Sequence, residues 1–304
     1  QSTNPSINHL KASFLPGWRI GTITTTDVKQ EDVYLGVPKS IIMDSTMAKA
    51  DSHGVGELIA GLTAKYGPNS RDDFHELLFL LVNEYVRLGD NSFFWPYLSL
   101  LPTPADQGIV PTTWTSDEIA TRLKPSHLKD SLMEYQARNR RTYDSIVKID
   151  IIKEFFKEDL SWERYRWAQA ILDSRSIWWA GVRHLVPMLD FINCIQGPEG
   201  SKIHSTAMDP SDQYAITRSS WDFKANEQLF ENYGQSNHIY FMYHGFALPI
   251  AENKNDCVLH KFQLSEEEVR RIDFESDQIA QSVAQQIGLS REYSVTLCLT
   301  LPIS

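Results

Sequence analysis

Apolar residues recur at helical spacing between positions 74 and 88: Phe74, Leu77, Leu78, Leu81, Tyr85 and Leu88. That three-to-four interval lays one stripe of a helix against a core. Ser70, with the acid Asp73 three positions later, reads as the start of this helix, and Gly89 as its stop. Helices are also predicted over residues 116–123, 130–156 and 161–174. Strand-like pieces lie on either side of this block. Residues 18–43 hold short strands, among them Val33-Tyr34-Leu35-Gly36-Val37, which ends at Pro38 after the polar turn Lys29-Gln30-Glu31-Asp32. Strands return at 185–188, 214–217, 228–232 and 257–259, with loops at 197–213 and 249–256. Residues 264–286 are charged and helical in pattern. There is no internal repeat, and a helical block at 56–175 interrupts the strands, so the fold class is α+β.

Composition narrows the function. The 304 residues and 34.8 kDa suit one large domain or two smaller ones, and 42% hydrophobic with 22% charged residues are ordinary globular values. A net charge of −10 and a pI near 5.4 argue against a nucleic-acid binder and favour basic partners. The three cysteines Cys194, Cys257 and Cys298 are far apart and odd in number, which argues against a disulfide framework or structural zinc. No run of 18 apolar residues is present, so no transmembrane helix is expected. The opening Gln1-Ser2-Thr3-Asn4 lacks an initiator Met and any apolar leader, and reads as a processed or trimmed chain.

Several tempting motifs lead nowhere. Gly54-Val55-Gly56 with Gly61 looks like a cofactor-cradling glycine loop, yet the polar Lys49-Ala50-Asp51-Ser52-His53 before it is no buried strand. A plain helix start is the better reading. No Gly-x-Ser-x-Gly or His-Glu-x-x-His occurs. His238, His244 and His260 lack acidic companions at ligand spacing and read as surface or packing residues, so no metal is expected.

Five segments in order carry more weight. They are Trp18-Arg19-Ile20-Gly21-Thr22; Phe93 through Pro102; Tyr165-Arg166-Trp167-Ala168 with Ser174-Arg175-Ser176; Leu185 through Cys194; and Ala225 through Phe246, including Glu231-Asn232-Tyr233-Gly234. Together, over about residues 15–260, they resemble the SET-domain protein methyltransferases of the Rubisco-lysine-methyltransferase-like subgroup. The resemblance implies a SET fold of short, knotted β-sheets with a helical insert (about 56–165) within residues 1–262. Residues 263–304 would begin a helical C-terminal substrate-binding domain. It also implies transfer of a methyl group from S-adenosylmethionine to a lysine of a protein substrate. A monomer is expected, intracellular, in the cytoplasm or nucleus with an organelle not excluded, and charge and hydropathy predict no direct nucleic-acid binding and no membrane.

The resemblance also assigns roles. Arg175 matches the guanidinium that meets the donor's carboxylate, and Asn193 the residue whose surroundings take its ammonium. Asp190 would brace that turn. Cys194 stands where the family has His, a position that holds adenine largely through its main chain. Phe246 matches an aromatic packed on adenine, and backbone groups of Trp18 and Ile20 match further donor contacts. Arg19 replaces the first glycine of the family's Gly-x-Gly, a strained substitution if the backbone there has φ > 0. Tyr233 matches the catalytic tyrosine. His244 stands where the family usually has Tyr, and with Ile177 would line the substrate pocket. A branch that methylates a histidine of actin carries Asn two residues after its arginine. The apolar Ile177 here suits a lysine stem better. The alternatives are a protein-histidine methyltransferase, a SET-fold binding module of weak catalytic power, and an unrelated scaffold.

Overall fold

The computed structural model describes residues 8–67, 72–106, 108, 110–124, 126, 128–249, 252–263 and 292–298. Strand β1 (Leu10–Leu15) turns at Gly17 into β2 (Trp18–Thr24), which it pairs antiparallel, and β3 (Val33–Pro38) follows. The helical block begins with α1 (Ser45–Ala50), whose N-cap Asp44 accepts from Met47 N at 2.7 Å. Helix α2 (Val55–Tyr66) starts at Gly54 (φ +104°), and Asp51 Oδ2 accepts from Val55 N at 2.9 Å. Those glycines are therefore a helix start.

Helix α3 (Asp73–Val82) is capped by Asp72, whose carboxylate accepts from His75 N at 3.1 Å. The start anticipated at Ser70 lies outside the described residues. From Glu76 to Val82 every position of α3 is buried, because the helix lies between α1 and α8 (Trp162–Arg175) and has no solvent face. It runs on as a π-helical turn, Asn83–Leu88, and stops at Gly89 (φ +55°). Helices α4 (Trp95–Leu98), α5 (Ser116–Arg122), α6 (Leu128–Ile146) and α7 (Asp150–Phe156) complete the block. The single helical stretch anticipated over 130–156 is two helices. The break between them lets Ile146 and Ile149 as well as Ile152 and Phe156 reach the same helical core.

A hairpin that the sequence pattern did not announce follows: β4 (Ile177–Trp179) and β5 (Val182–His184) joined by Ala180 (φ +50°) and Gly181 (φ +75°). It corrects the strand expected at 185–188, where Leu185 makes only an isolated bridge to Met43 and Met188 has φ +74°, which no strand allows. Next come β6 (Asn193–Cys194), β7 (Thr206–Met208), β8 (Tyr214–Arg218), β9 (Gln228–Glu231) and the short α9 (Asn237–Ile239). One sheet has the order β1-β2-β9-β6, and β9 runs antiparallel to β2 but parallel to β6. A second has the order β3-β8-β7. A second core, with Tyr34, Val186, Ile192 and Leu229, lies among these strands.

Strands β10 (Cys257–Gln263) and β11 (Glu292–Cys298) pair antiparallel and place Cys257 opposite Cys298, with Cα atoms 4.0 Å apart, in a disulfide. This corrects the reading of the cysteines as unpaired. The two lie 41 positions apart in the chain, so their spacing hides a cross-strand neighbour. The helix expected at 264–286 lies outside the described residues. No helix among the described residues is long and apolar enough to cross a membrane.

Candidate functional site

The end of α8 delivers Arg175 to the turn before β6. Its Nη1 donates to the Asp190 carbonyl oxygen (3.0 Å) and to Asp190 Oδ2 (3.2 Å), and the guanidinium carbon lies 5.9 Å from the Phe191 ring. Asp190 is fully buried, and Tyr97 of α4 donates its hydroxyl to Oδ2 at 3.0 Å. Burial pushes the Asp190 carboxyl up to about 6, although Arg175 pulls the other way. Its second oxygen, Oδ1, is buried with no hydrogen-bond partner. Asn193 Nδ2 donates to the Ile20 carbonyl oxygen at 3.0 Å and so ties β6 to β2. A Cβ on Gly21 would lie 2.8 Å from that same Nδ2, so a side chain there would have to displace the Asn193 amide. Arg19 is extended rather than at positive φ, so the replacement of a glycine carries no backbone strain. Its guanidinium donates to the Leu101 carbonyl oxygen at 3.1 Å.

Strand β9 leads into Tyr233, whose hydroxyl donates to the Ile192 carbonyl oxygen, one residue before Asn193. Burial holds this phenol well above its usual range, so it stays protonated. Gly234 follows at φ +69°, and a Cβ there would lie 2.6 Å from Ile203. The rings of Tyr240, His244 and Phe246 gather beside Tyr233: His244 is 5.7 Å from Tyr233 between centroids, and Phe246 stacks on Tyr240 at 4.9 Å. Cys194 is buried in this cluster, and burial pushes its thiol up. Burial, aided by nearby Arg175, pushes the His244 imidazole down to about 4, so the ring is neutral. The structure thus brings together Arg175, Asp190, Asn193, Cys194, Tyr233, His244 and Phe246. Trp18 sits at the start of β2 with its indole against Phe230 (5.6 Å), while Ile177 opens β4 and packs on the second core.

No protein-family model matches the chain. It is 26% identical over 257 residues to an actin-histidine N-methyltransferase of Gallus gallus, and 26% identical over 263 residues to the Homo sapiens enzyme. Each match covers 81% of this chain and 40% of the relative, so the chain spans about two fifths of the length of the curated relatives it matches. A crystal structure of the SET domain of LSMT bound to lysine and AdoHcy superposes with a TM-score of 0.73 at 20% identity, covering 99% of this chain and 65% of that one. Rubisco LSMT bound to sinefungin and monomethyllysine superposes with a TM-score of 0.74 at 20% identity, covering 99% and 64%. The chain has the SET fold.

Within the SET fold, three groups near Tyr233 have partners that the sequence reading did not assign. Asn237 is a hub. Its backbone N–H and Nδ2 donate to Asp256 (2.8 and 3.2 Å) and Nδ2 also to the Leu248 carbonyl oxygen (3.0 Å), while its Oδ1 accepts from Leu248 N and Asn253 Nδ2 (both 3.0 Å). Glu231, two residues before Tyr233, is buried, accepts from the Tyr34 hydroxyl, and lies 2.7 Å from His204 Nδ1. Burial raises the Glu231 carboxyl and lowers His204 to about 4, so desolvation pushes both groups toward their neutral forms. Tyr97, the third, lay in a motif segment as Glu231 and Asn237 did, but its bond to Asp190 spans 93 positions. His204 sits in a polar loop with no periodicity, and no sequence signal pointed to it.

Proposed function

We propose that the chain is an S-adenosylmethionine-dependent protein-lysine methyltransferase. One observation carries the reading: Tyr233 ends on the Ile192 carbonyl, next to a turn where Arg175 meets a buried Asp190 with an unpartnered oxygen. The residues fit an amino-acid zwitterion. Guanidinium N–H groups suit a carboxylate, the orphaned Asp190 Oδ1 suits an ammonium, and the Tyr240–Phe246 pair offers an aromatic face for adenine. Arg175, Asp190, Asn193, Cys194 and Phe246, with backbone of Trp18 and Ile20, would hold the donor, which supplies a methyl group on a sulfonium.

The chain's own groups then act by position. Because the Tyr233 phenol stays protonated, it orients the reacting nitrogen and is no phenolate base. The Ile192 carbonyl fixes the direction of that hydroxyl. A neutral His244 adds no positive charge to a site that must admit a basic side chain, and the surrounding rings favour the uncharged amine by desolvation. The SET-domain structures on which the chain superposes are bound to lysine or monomethyllysine, which supports lysine over histidine as the acceptor. Likeness to relatives named actin-histidine N-methyltransferase favours a second reading, transfer to histidine. Residues 263–304 we take as the start of a C-terminal substrate-binding domain. Labelled donor and a cell lysate, followed by mass spectrometry, test all of this. Labelling that disappears in Tyr233→Phe is expected, with the methyl on lysine. Labelling indifferent to Tyr233 would exclude the mechanism, and methyl-histidine would select the second reading.

A further inference from the structure

A cavity of about 470 Å³ opens beside the Tyr233 cluster, walled by α6, α8, the β4–β5 hairpin and the segment after Tyr233. Its lining includes His244, Gln235 and half-exposed Trp178. Two polar groups in its wall are incompletely matched. Asp173 of α8 has a side chain only 12% exposed; it accepts from the Tyr135 hydroxyl, and the nearest guanidinium, Arg183 Nη1, stays 3.8 Å away, beyond hydrogen-bond distance. Gln235 Oε1 is buried with no partner.

We propose that this cavity receives one basic side chain flanking the methyl-accepting residue of the protein substrate, with Asp173 and Gln235 as its acceptors. The proposal rests on the methyltransferase reading for the identity of that substrate. Both mismatched groups are acceptors, so the occupant must bring N–H donors. A cation also answers the buried carboxylate, which burial pushes up to about 6 for want of a close counter-charge. The net charge of −10 draws basic segments in general. Asp72 also lines the cavity, but its side chain is well exposed and its Oδ1 is engaged by His75 Nδ1 at 2.6 Å, so the buried Asp173 is the acceptor with the larger unmet demand. Two arginines set the limit. Arg183 is turned onto Ser176 Oγ (3.2 Å) and the Trp178 ring (4.5 Å), and Arg138 lies over Tyr135 (5.6 Å). They leave room for a single basic side chain and repel a polybasic run.

The test is binding of fluorescein-labelled peptides with a central lysine flanked by either arginine or glutamine, read by fluorescence polarisation with the purified chain and a non-transferring donor analogue. The arginine set should bind at least about tenfold tighter, and in Asp173→Asn the two sets should fall within about twofold. Tyr135→Phe, which keeps the carboxylate, should keep the preference. Calorimetric binding of the donor analogue shows that both variants are folded. Equal binding of the two sets by the wild-type chain, or a preference untouched by Asp173→Asn, would overturn the proposal. So would an equal loss in Tyr135→Phe, which would make Asp173 a structural link between α6 and α8. Methyl transfer to the same peptides is scored separately, so its failure would strike the methyltransferase reading alone.

Discussion

Asp190 and Asp173 are two aspartates with buried side chains, and burial pushes both carboxyls up to about 6. They arrive there differently. Asp190 has no exposure and a guanidinium in hydrogen-bond contact at 3.2 Å, so a close cation offsets a severe desolvation. Asp173 is slightly exposed and its nearest guanidinium stands off at 3.8 Å, so its desolvation is opposed first by the Tyr135 hydroxyl and only then by the more distant Arg183 and Arg138. The same titration position therefore conceals two functions. Asp190 is committed to an internal brace that aims Arg175. Asp173 keeps an unmet demand for positive charge at the wall of a cavity.

The harshest test of that contrast is Arg175→Ala. Removing it takes the close cation from the buried Asp190 carboxyl, drives that group further toward its neutral form and leaves its oxygens short of donors, and denaturant unfolding should show a loss of about 1–3 kcal/mol. An effect below 1 kcal/mol would mean that the brace is idle.

Next is pH. A carboxyl whose folded pKa exceeds its unfolded value stabilises the fold at low pH and loses that contribution as pH rises through the folded value. For Asp173 the window runs from 3.8 to about 6. A shift of about two units is worth about 3 kcal/mol. Asp173→Asn should remove up to that much of the stability lost between pH 4 and 7. At pH 7 the variant should be as stable as the wild type or more so, whereas Asp190→Asn should be less stable because Arg175 then lies against a neutral partner. His204 and His244 titrate with the opposite sign, their contribution being full above 6.5 and lost as pH falls to about 4, so the difference between variant and wild type is the quantity to measure.

Tyr233→Phe sharpens the comparison from the centre. Turnover should fall by about a hundredfold, or about 2.7 kcal/mol in the barrier, while donor binding changes little, because the phenol works by position. The smallest effect belongs to Arg183→Ala, expected at about 1 kcal/mol or less by thermal unfolding, as its carboxylate partner is distant.

Much of this site was legible before any tertiary contact was known. The segments around Trp18, Arg175, Asp190, Asn193 and Tyr233 stand in an order that suggested one shared site, and the helical period between 74 and 88 marked α3. The errors were local and physical. Periodicity cannot see a hairpin whose turn is Ala180-Gly181, nor that Met188 adopts positive φ and ends a strand. It joined α6 and α7 because both are apolar on their inner faces, although the chain bends between them. The cysteines were misjudged because pairing depends on register between β10 and β11, and nothing in the interval from Cys257 to Cys298 encodes register.

What the sequence alone determined is therefore the kind of fold and one half of the site, since ordered motifs and burial patterns are properties of single segments. Tertiary structure decided the partners. It set Tyr97 on Asp190, Tyr34 and His204 on Glu231, and Tyr135 on Asp173, pairs separated by 27 to 197 positions. A buried acid's behaviour depends on which donor or cation the fold brings within about 3 Å of it, and no local pattern of hydrophobic and polar residues carries that information.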